Sequence, residues 1–466
     1  MEDGQVLHTS PYAAQIDRFA DSLKELSRVF SKIDEKKTHF TEEEIAGMFQ
    51  KIKEDVCKKC ENRSLCWEEG FDQTCQMGYE ILAAVDQYGN DLNTETKRKL
   101  QQNCIRAPRF LKGILELFHE ARQNLIWNNK IVQNREGCAI QLDLFAEILR
   151  RTSREIEDSQ IVDVRVEKKI INVLKKAGIR VLSVRLLLNS RGKYEIHVTA
   201  RAVTDSLVTL KMIAKAISNV IGRTVVVDGA ASQVLGKEYK NIVCKEETDF
   251  YILYGVAHAG KDGNRISGDN FMVVDLAGGR QCIALSDGMG AGQKACRESA
   301  LVIELLEELL EAGFPEKLAI QMINTTLVLG REEIHYSTVD MCVFDLYSGN
   351  CELIKAGASS TFIKRNGRVD HIISTSLPVG VVQKLEIDTI EQELESGDFI
   401  IMMTDGILDA LPVGEQELLL ETIIGGTQMS NPKDMADHIL RQIQNWTNKA
   451  PQDDMMILVA GIWERG

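Results

Sequence analysis

The sequence predicts an α+β protein in three parts: a helical region over residues 1–155, a small α/β module over 156–247, and a β-sandwich flanked by helices over 248–466. Three observations carry that division. Apolar residues recur at three- and four-residue steps through the first third, where strand-like alternation is scarce. After residue 160 two amphipathic helices alternate with strand-like runs. From residue 250 short strands dominate, with turn glycines between them and two long helices inserted.

In the first third, "YAAQIDRFADSLKELSRVFSKI" places Ile16, Phe19, Leu23, Leu26 and Phe30 on one helical face. Similar spacing recurs in "EEEIAGMFQKI", "MGYEILAAVDQYG" and "RFLKGILELFHEARQNLIW". A helical bundle or long arm is expected, one that docks a partner or holds a dimer. "RRTSREIEDSQ" at 150–160 reads as the end of a connecting helix.

In the module, "VEKKIINVLKKAG" is a helix closed by Gly178, and "SLVTLKMIAKAISNVIG" is a second. "IRVLSVRLLLN" and "KYEIHVTAR" are strands joined by a turn around Ser190, Arg191 and Gly192. A split βαβ arrangement is one reading of this order.

In the last third, "DNFMVVDL" and "QCIALS" are strands flanking the turn "AGGR". Residues 293–312 form a helix, and Pro315 opens a second at the first helical position. "TVDMCVFDLYSGNCELIKAG" and "TFIKRNGRVDHII" are hairpins, the latter with Asn366-Gly367 at its tip. "DFIIMMTDGI" ends in an Asp-Gly step, residues 432–447 are helical, and "MMILVAGIW" is a final buried strand. Antiparallel strands with helical pairs imply two sheets covered by helices.

With 466 residues the chain has room for two or three domains, and 44% hydrophobic against 27% charged residues is a globular composition. A net charge of −14 and a pI of about 5.2 exclude a general attraction for nucleic acid or anionic membrane. Eleven cysteines and a polar, acidic start point to free thiols in a reducing, cytoplasmic compartment. No segment approaches the roughly 18 uninterrupted apolar residues of a membrane helix, so the chain is expected to be soluble, or a fragment of a tethered protein.

Four acids share one context. Asp269 in "SGDNF" stands at a strand start, Asp287 in "LSDGMG" and Asp405 in "MTDGI" at strand ends, and Asp453 in "PQDDMM" just before the last strand. Loops at strand ends converge on sites. Clustered carboxylates repel one another, and a hard divalent cation removes that penalty. Two Mn²⁺ or Mg²⁺ ions about 3.5–4 Å apart activate a shared water for attack on a phosphate ester. Gly288 leaves its carbonyl unobstructed for a metal. A single Asp-Gly pair more often marks a turn, so the signal is the ordered set of four.

"SGDNF", "LSDGMGAGQKA", "STVDM", "SLPVG", "GDFIIMMTDGI" and "QDDMMILV" resemble the ordered motifs of PPM-type serine/threonine phosphatases, the protein phosphatase 2C superfamily, in a version similar to its sporulation members. The resemblance covers about 248–466, and "VCKKCENRSLCW" extends it upstream. It implies a β-sandwich flanked by helices, two Mn²⁺ or Mg²⁺ ions, and hydrolysis of phosphoserine by water. It implies metal ligands at Asp269, Asp287, the Gly288 carbonyl, Asp405 and Asp453, with Asp454 the second choice, and Asp269 and Asp287 as the catalytic pair. In sporulation members the implied substrate is a phosphorylated anti-anti-sigma factor whose dephosphorylation frees a sigma factor. The helix pair over 293–330 is then expected to link regulation to catalysis. Met456 departs from the pattern, which has Thr or Ser there, and the ten membrane helices of such members have no counterpart here.

Arg265 and Lys294 flank the acidic motifs and are candidates to meet a substrate phosphate, with a solvated surface role as the alternative. His258 and His335 lie near site segments but stand alone. Cys57, Cys60, Cys66 and Cys75 give C-x₂-C-x₅-C-x₈-C, a zinc or iron–sulfur spacing of no standard type, with buried thiols as the default. Two rivals remain for the last third. The glycine loop after a strand fits an S-adenosylmethionine- or nucleotide-binding α/β enzyme, which requires parallel β-α-β alternation. A catalytically inactive phosphatase fold serving as a binding module is the other.

Overall fold

The computed structural model describes residues 11–31, 36–88, 94–158, 160–161, 164–188, 192–203, 208–228, 234–263, 267–290, 292–329, 336–447 and 451–465. Two compact units divide the chain: Arg28–Ala139, and Met1–Ser27 together with Ile140–Gly466. Helices α1 (Pro11–Ser31) and α5 (Ala107–Asp158) each cross a boundary between them.

The 28–139 unit is helical, with α2 (Glu42–Asp55), a π-helical turn at Leu65–Glu69, α3 (Phe71–Tyr88) and α4 (Thr94–Asn103) ahead of α5. Thr41 and Glu44 close a reciprocal capping box at the start of α2, which fixes where that helix begins. Phe49, Ile52, Trp67, Ile81, Phe110 and Ile114 form the buried centre. The apolar stretch at 109–127 and the charged stretch at 150–158 belong to one continuous helix of 52 residues, about 78 Å long at 1.5 Å per residue.

In the larger unit, the module comprises β1 (Gln160–Ile161), α6 (Val164–Lys176), β2 (Ile179–Leu188), β3 (Tyr194–Ala202), α7 (Leu210–Ile221), β4 (Val225–Val227) and β5 (Lys240–Glu246). Its sheet order is β1-β2-β3-β5-β4, and every ladder is antiparallel. β3 and β4 run parallel on either side of β5 and are joined through α7, which is the split βαβ arrangement expected from the sequence. Ile170, Leu174, Ile213 and Ile217 seat both helices on Val184, Leu186, Ile196, Val198 and Ile242 of the sheet. The tip at 189–191 lies outside the described residues.

The last third is a four-layer sandwich. Its first sheet has the order β13-β10-β9-β8-β7 and its second β12-β11-β14-β15-β6. The strands are β6 (Phe250–Ala259), β7 (Asp269–Leu276), β8 (Arg280–Asp287), β9 (Val339–Asp345), β10 (Asn350–Ala356), β11 (Thr361–Arg365), β12 (Arg368–Ile372), β13 (Asp388–Glu393), β14 (Phe399–Met403) and β15 (Met455–Glu464). Between β8 and β9 come α8 (Gln293–Glu311) and α9 (Glu316–Val328). After β14 come α10 (Asp405–Asp409), α11 (Gln416–Gly426) and α12 (Pro432–Thr447).

Period-two alternation sorts each strand between two cores. Along β8, Ile283 and Leu285 enter the space between the sheets, while Cys282 and Ala284 meet α8 and α9. Along β15, Met456, Leu458 and Ala460 point between the sheets, while Met455, Ile457 and Val459 meet α12. Asn366 and Gly367 have φ of 48° and 85°, the left-handed pair a tight hairpin tip needs. β8 pairs antiparallel with both β7 and β9 across the helix pair, which removes the parallel unit a nucleotide-binding reading required. Pro315 caps α9 rather than occupying its first turn, with φ −60° and ψ 141°. No helix among the described residues is long and apolar enough to cross a membrane.

Candidate active site

Asp269 opens β7 and Asp287 closes β8, and the two are direct cross-strand partners in the antiparallel register. The other two acids come from the opposite sheet. Asp405 begins α10 directly after β14, and Asp453 stands two residues before β15. β14 and β15 are neighbours, with Met403 opposite Ile457, so both acids leave the same end of that sheet.

Thr404 ties the ends together. Its hydroxyl donates to Asp269 Oδ2 at 3.0 Å and accepts the Met456 N–H at 2.9 Å. Met456 itself points into the core between the sheets and is 5% exposed. The hydroxyl that the sequence pattern asks for at 456 is thus absent, and the side chain on Asp269 comes from Thr404.

Of the adjacent pair, Asp454 is the buried member. Its carboxylate accepts the Lys261 N–H at 2.8 Å and the Gly268 N–H at 2.6 Å, which pins the loops before β7 and β15 together. Asp453 remains half-buried, with its Oδ1 accepting the Asp454 N–H at 2.9 Å.

Both Asp-Gly steps need glycine for close approach. A Cβ on Gly288 would lie 2.2 Å from the Ala295 carbonyl oxygen in the first turn of α8. A Cβ on Gly406 would lie 2.0 Å from the Asp454 carbonyl oxygen. Neither glycine has positive φ, whereas Gly290 and Gly292, at 87° and 80°, do. The loop therefore turns at Gly290 and Gly292, and Gly288 is the contact point of the following helix.

The charges are crowded. Burial pushes the Asp269 carboxyl well up from the ordinary carboxylate range; Asp454 and Asp405 push the same way, against the hydrogen bond from Thr404. Burial also pushes up Asp287, reinforced by Asp269 and Asp405. Asp409 is raised by burial, then by Asp405 and Asp453. Asp269, Asp287 and Asp405 thus form one mutually repelling group, and Asp453 acts on its margin through Asp409.

Other residues that sequence reasoning missed lie close by. A cavity of about 30 Å³ is lined by Asp287, Thr338, Asp340, Ser359, Thr404 and Asp405 among others. Asp340 is 2% exposed and paired at 2.7 Å with Lys355, which is 0% exposed. Lys355 also donates to the Ser359 carbonyl and to Thr361 Oγ1, both at 2.8 Å. The Ser337 hydroxyl donates to the Asp287 carbonyl at 2.6 Å, and Thr338 Oγ1 accepts the Asp287 N–H at 2.9 Å. The "STVDM" motif gave the only sequence signal for these groups. Lys294 is exposed in the first turn of α8, and His258 is exposed on β6 opposite Met456. Arg265 and His335 lie outside the described residues.

Among the described residues no three acidic, cysteine or histidine side chains stand in ready metal-ligating geometry. The donor set nevertheless fits a hard cation. Asp269 is 4% exposed and its Oδ1 is buried without a hydrogen-bond partner. A buried carboxylate oxygen left so, beside two further carboxylates, has a positive charge as its natural counterpart.

A family model described as Stage II sporulation protein E (SpoIIE) matches residues 277–463, and one described as the SpoIIE regulatory domain matches residues 10–245. Stage II sporulation protein E of Bacillus subtilis (strain 168) is 27% identical over 452 residues, covering 97% of this chain and 54% of that protein. Its counterpart from Priestia megaterium is 26% identical over 453 residues, covering 96% of this chain and 77% of that protein. The chain thus spans about half the length of the first relative. A solved structure of the PP2C phosphatase domain with a fragment of the regulatory domain of the B. subtilis protein superposes with a TM-score of 0.54 at 27% identity, covering 74% of this chain and 97% of that one. Regulatory and phosphatase parts together place this chain in the stage II sporulation protein E family, whose C-terminal domain is of the PPM, or PP2C, serine/threonine phosphatase type.

Proposed function

We propose that the chain is a cytoplasmic, metal-dependent phosphoserine phosphatase that acts on a phosphorylated anti-anti-sigma factor and so activates a sigma factor in sporulation. One observation carries the reading: Asp269, Asp287 and Asp405, from opposite sheets, meet at one end of the sandwich with Asp269 Oδ1 unpartnered. Asp269, Asp287, Asp405, Asp453 and the Gly288 carbonyl would hold two Mn²⁺ or Mg²⁺ ions. When bound, such a pair supplies a strong nucleophile near neutral pH and offsets phosphate charge.

The chain's own groups prepare that site. Thr404 orients Asp269, Asp454 fixes the converging loops, and Ser337 and Thr338 hold the Asp287 backbone. α8 packs directly on Gly288, so a shift of the α8–α9 pair reaches Asp287 through one residue. That contact supports a regulatory role for the pair. The helical region is assigned to docking a cell-division or membrane partner, or a second copy.

The test is phosphate release from a phosphorylated anti-anti-sigma factor with and without Mn²⁺, for wild type and Asp287→Asn. Expected is activity that requires the ion and falls on the order of 10²-fold or more in the variant. Equal rates in the two proteins, or a rate indifferent to chelator, would overturn the reading.

A further inference from the structure

The 28–139 unit gathers four thiols that the phosphatase chemistry does not use. Cys57 follows α2, Cys60 is three residues on, Cys66 lies in the π-helical turn, and Cys104 follows α4. These four share a cavity of about 570 Å³ with Trp67, Arg63 and Arg106. Burial within it pushes the thiols of Cys57, Cys66 and Cys104 up from their ordinary value. Cys75, the fourth member expected from spacing, does not line the cavity. Cys104 takes its place, delivered from 38 positions beyond Cys66 by the turn between α4 and α5.

A second observation points into the same space. Trp67 is 5% exposed, and its indole nitrogen has no hydrogen-bond partner. Burial pushes the Cys57 thiol up from its ordinary value, and the Trp67 N–H acts against that push. A buried indole donor beside a thiol is matched once that sulfur is ionised, and second-shell donors of this kind accompany sulfur ligands. The cationic side chains Arg63 and Arg106 bear on Cys57 in the same sense. A π-helical turn inside a helical domain frequently marks a functional position.

We propose that Cys57, Cys60, Cys66 and Cys104 form a four-thiolate site for a thiophilic metal centre in the regulatory unit, separate from the phosphatase ions. Four thiolates suit zinc or an iron–sulfur cluster and exclude the hard Mn²⁺ and Mg²⁺ ions of the other site. The thiols are gathered but not drawn to ligating distance, since no three of them stand in metal-holding geometry among the described residues. Closure takes side-chain rotation about a cavity that has room for it. Each bound thiol gives up its proton to solvent, so loading is coupled to proton release. The centre would lock the α2 end, the π-helical turn and the α4–α5 turn into one piece.

The test uses the full chain carrying Asp287→Asn, so that phosphatase-site metal does not enter the count. Protein is purified without oxygen from cells supplied with zinc and iron, then assayed for zinc, iron, acid-labile sulfide and visible absorbance. Expected is either about one zinc per chain or iron with matching sulfide and colour. Cys104→Ser and Cys60→Ser should lose that metal about tenfold, while Cys75→Ser and Cys138→Ser keep it. Circular dichroism confirms that each variant is folded, and Cys60→Ser, in a turn, is the fallback if Cys104→Ser is not. Metal-free protein in which Cys57, Cys60, Cys66 and Cys104 all react as free thiols, or form disulfides, would overturn the proposal. So would metal retained in both folded site variants, or lost equally from Cys75→Ser.

Discussion

The α-carbon of Gly288 faces the Ala295 carbonyl so closely that a methyl group there would fall 2.2 Å from the oxygen. The neighbour is helix backbone, so relief requires α8 itself to move. Gly288→Ala should therefore lower activity at least about tenfold and cost roughly 1–3 kcal/mol of stability, an overpacking effect. Phosphate release and thermal melting check both parts. Unchanged values in both would show that α8 is not seated on the Asp287 loop.

Thr404 offers a sharper probe, because its hydroxyl serves Asp269 and the Met456 amide at once. Thr404→Val removes the hydroxyl at constant shape. The Mn²⁺ concentration for half-maximal activity should rise about 10–100-fold, and Thr404→Ser should restore most of it. A metal titration of the three proteins decides. Equal half-saturation for Val and Thr would leave Asp269 without need of its partner.

The Lys355–Asp340 pair is buried on both sides. Lys355→Met leaves the Asp340 charge uncompensated and should destabilise by about 3–5 kcal/mol. Adding Asp340→Leu removes that charge, so the double variant should recover a large part of the loss. Urea denaturation of both tests this. A double variant no better than the single would mean that the hydrogen bonds of Thr361 and Ser359, rather than the charge, dominate.

Glu246 predicts a pH dependence. Burial acts to raise its carboxyl, but Arg223, Lys193 and the Tyr194 N–H outweigh it, and the net position is below the ordinary value. The ion pairs are 3.0 and 3.1 Å long. A lowered folded-state pKa gives stability that is present above the unfolded value, about 4.3, and is lost as pH falls through the folded value. Wild type should exceed Glu246→Gln in stability at pH 7, and the gap should close below about pH 4.5. A gap constant from pH 7 to 3.5 would contradict the assignment.

The sandwich was legible in the sequence because short continuous apolar runs, such as β15, are bounded by turn glycines. The acidic positions stood out by their recurring place at strand ends. Their supports did not. Thr404 is one hydroxyl beside an aspartate; the β14–β15 register brings it to Met456, and the packing of the two sheets brings it to Asp269. Asp454 could not be separated from Asp453 by spacing, since the difference is which way each side chain faces. The continuity of α5 was hidden because apolar residues at its middle, Ile126 and Trp127, are exposed and break the stripe. Cys104 escaped because spacing arguments look along the chain, whereas its neighbours arrive through a helix turn.

Asp269 and Asp287 belong to one sheet, while Asp405 and Asp453 adjoin the ends of β14 and β15 in the other. The gap between these halves is set by the thickness of the filling between the sheets, where Phe344, Leu353, Met402 and Leu458 are buried. That filling acts as a spacer bar. Trimming or enlarging one of its side chains changes the calibre of the candidate site from within, with none of its acids altered.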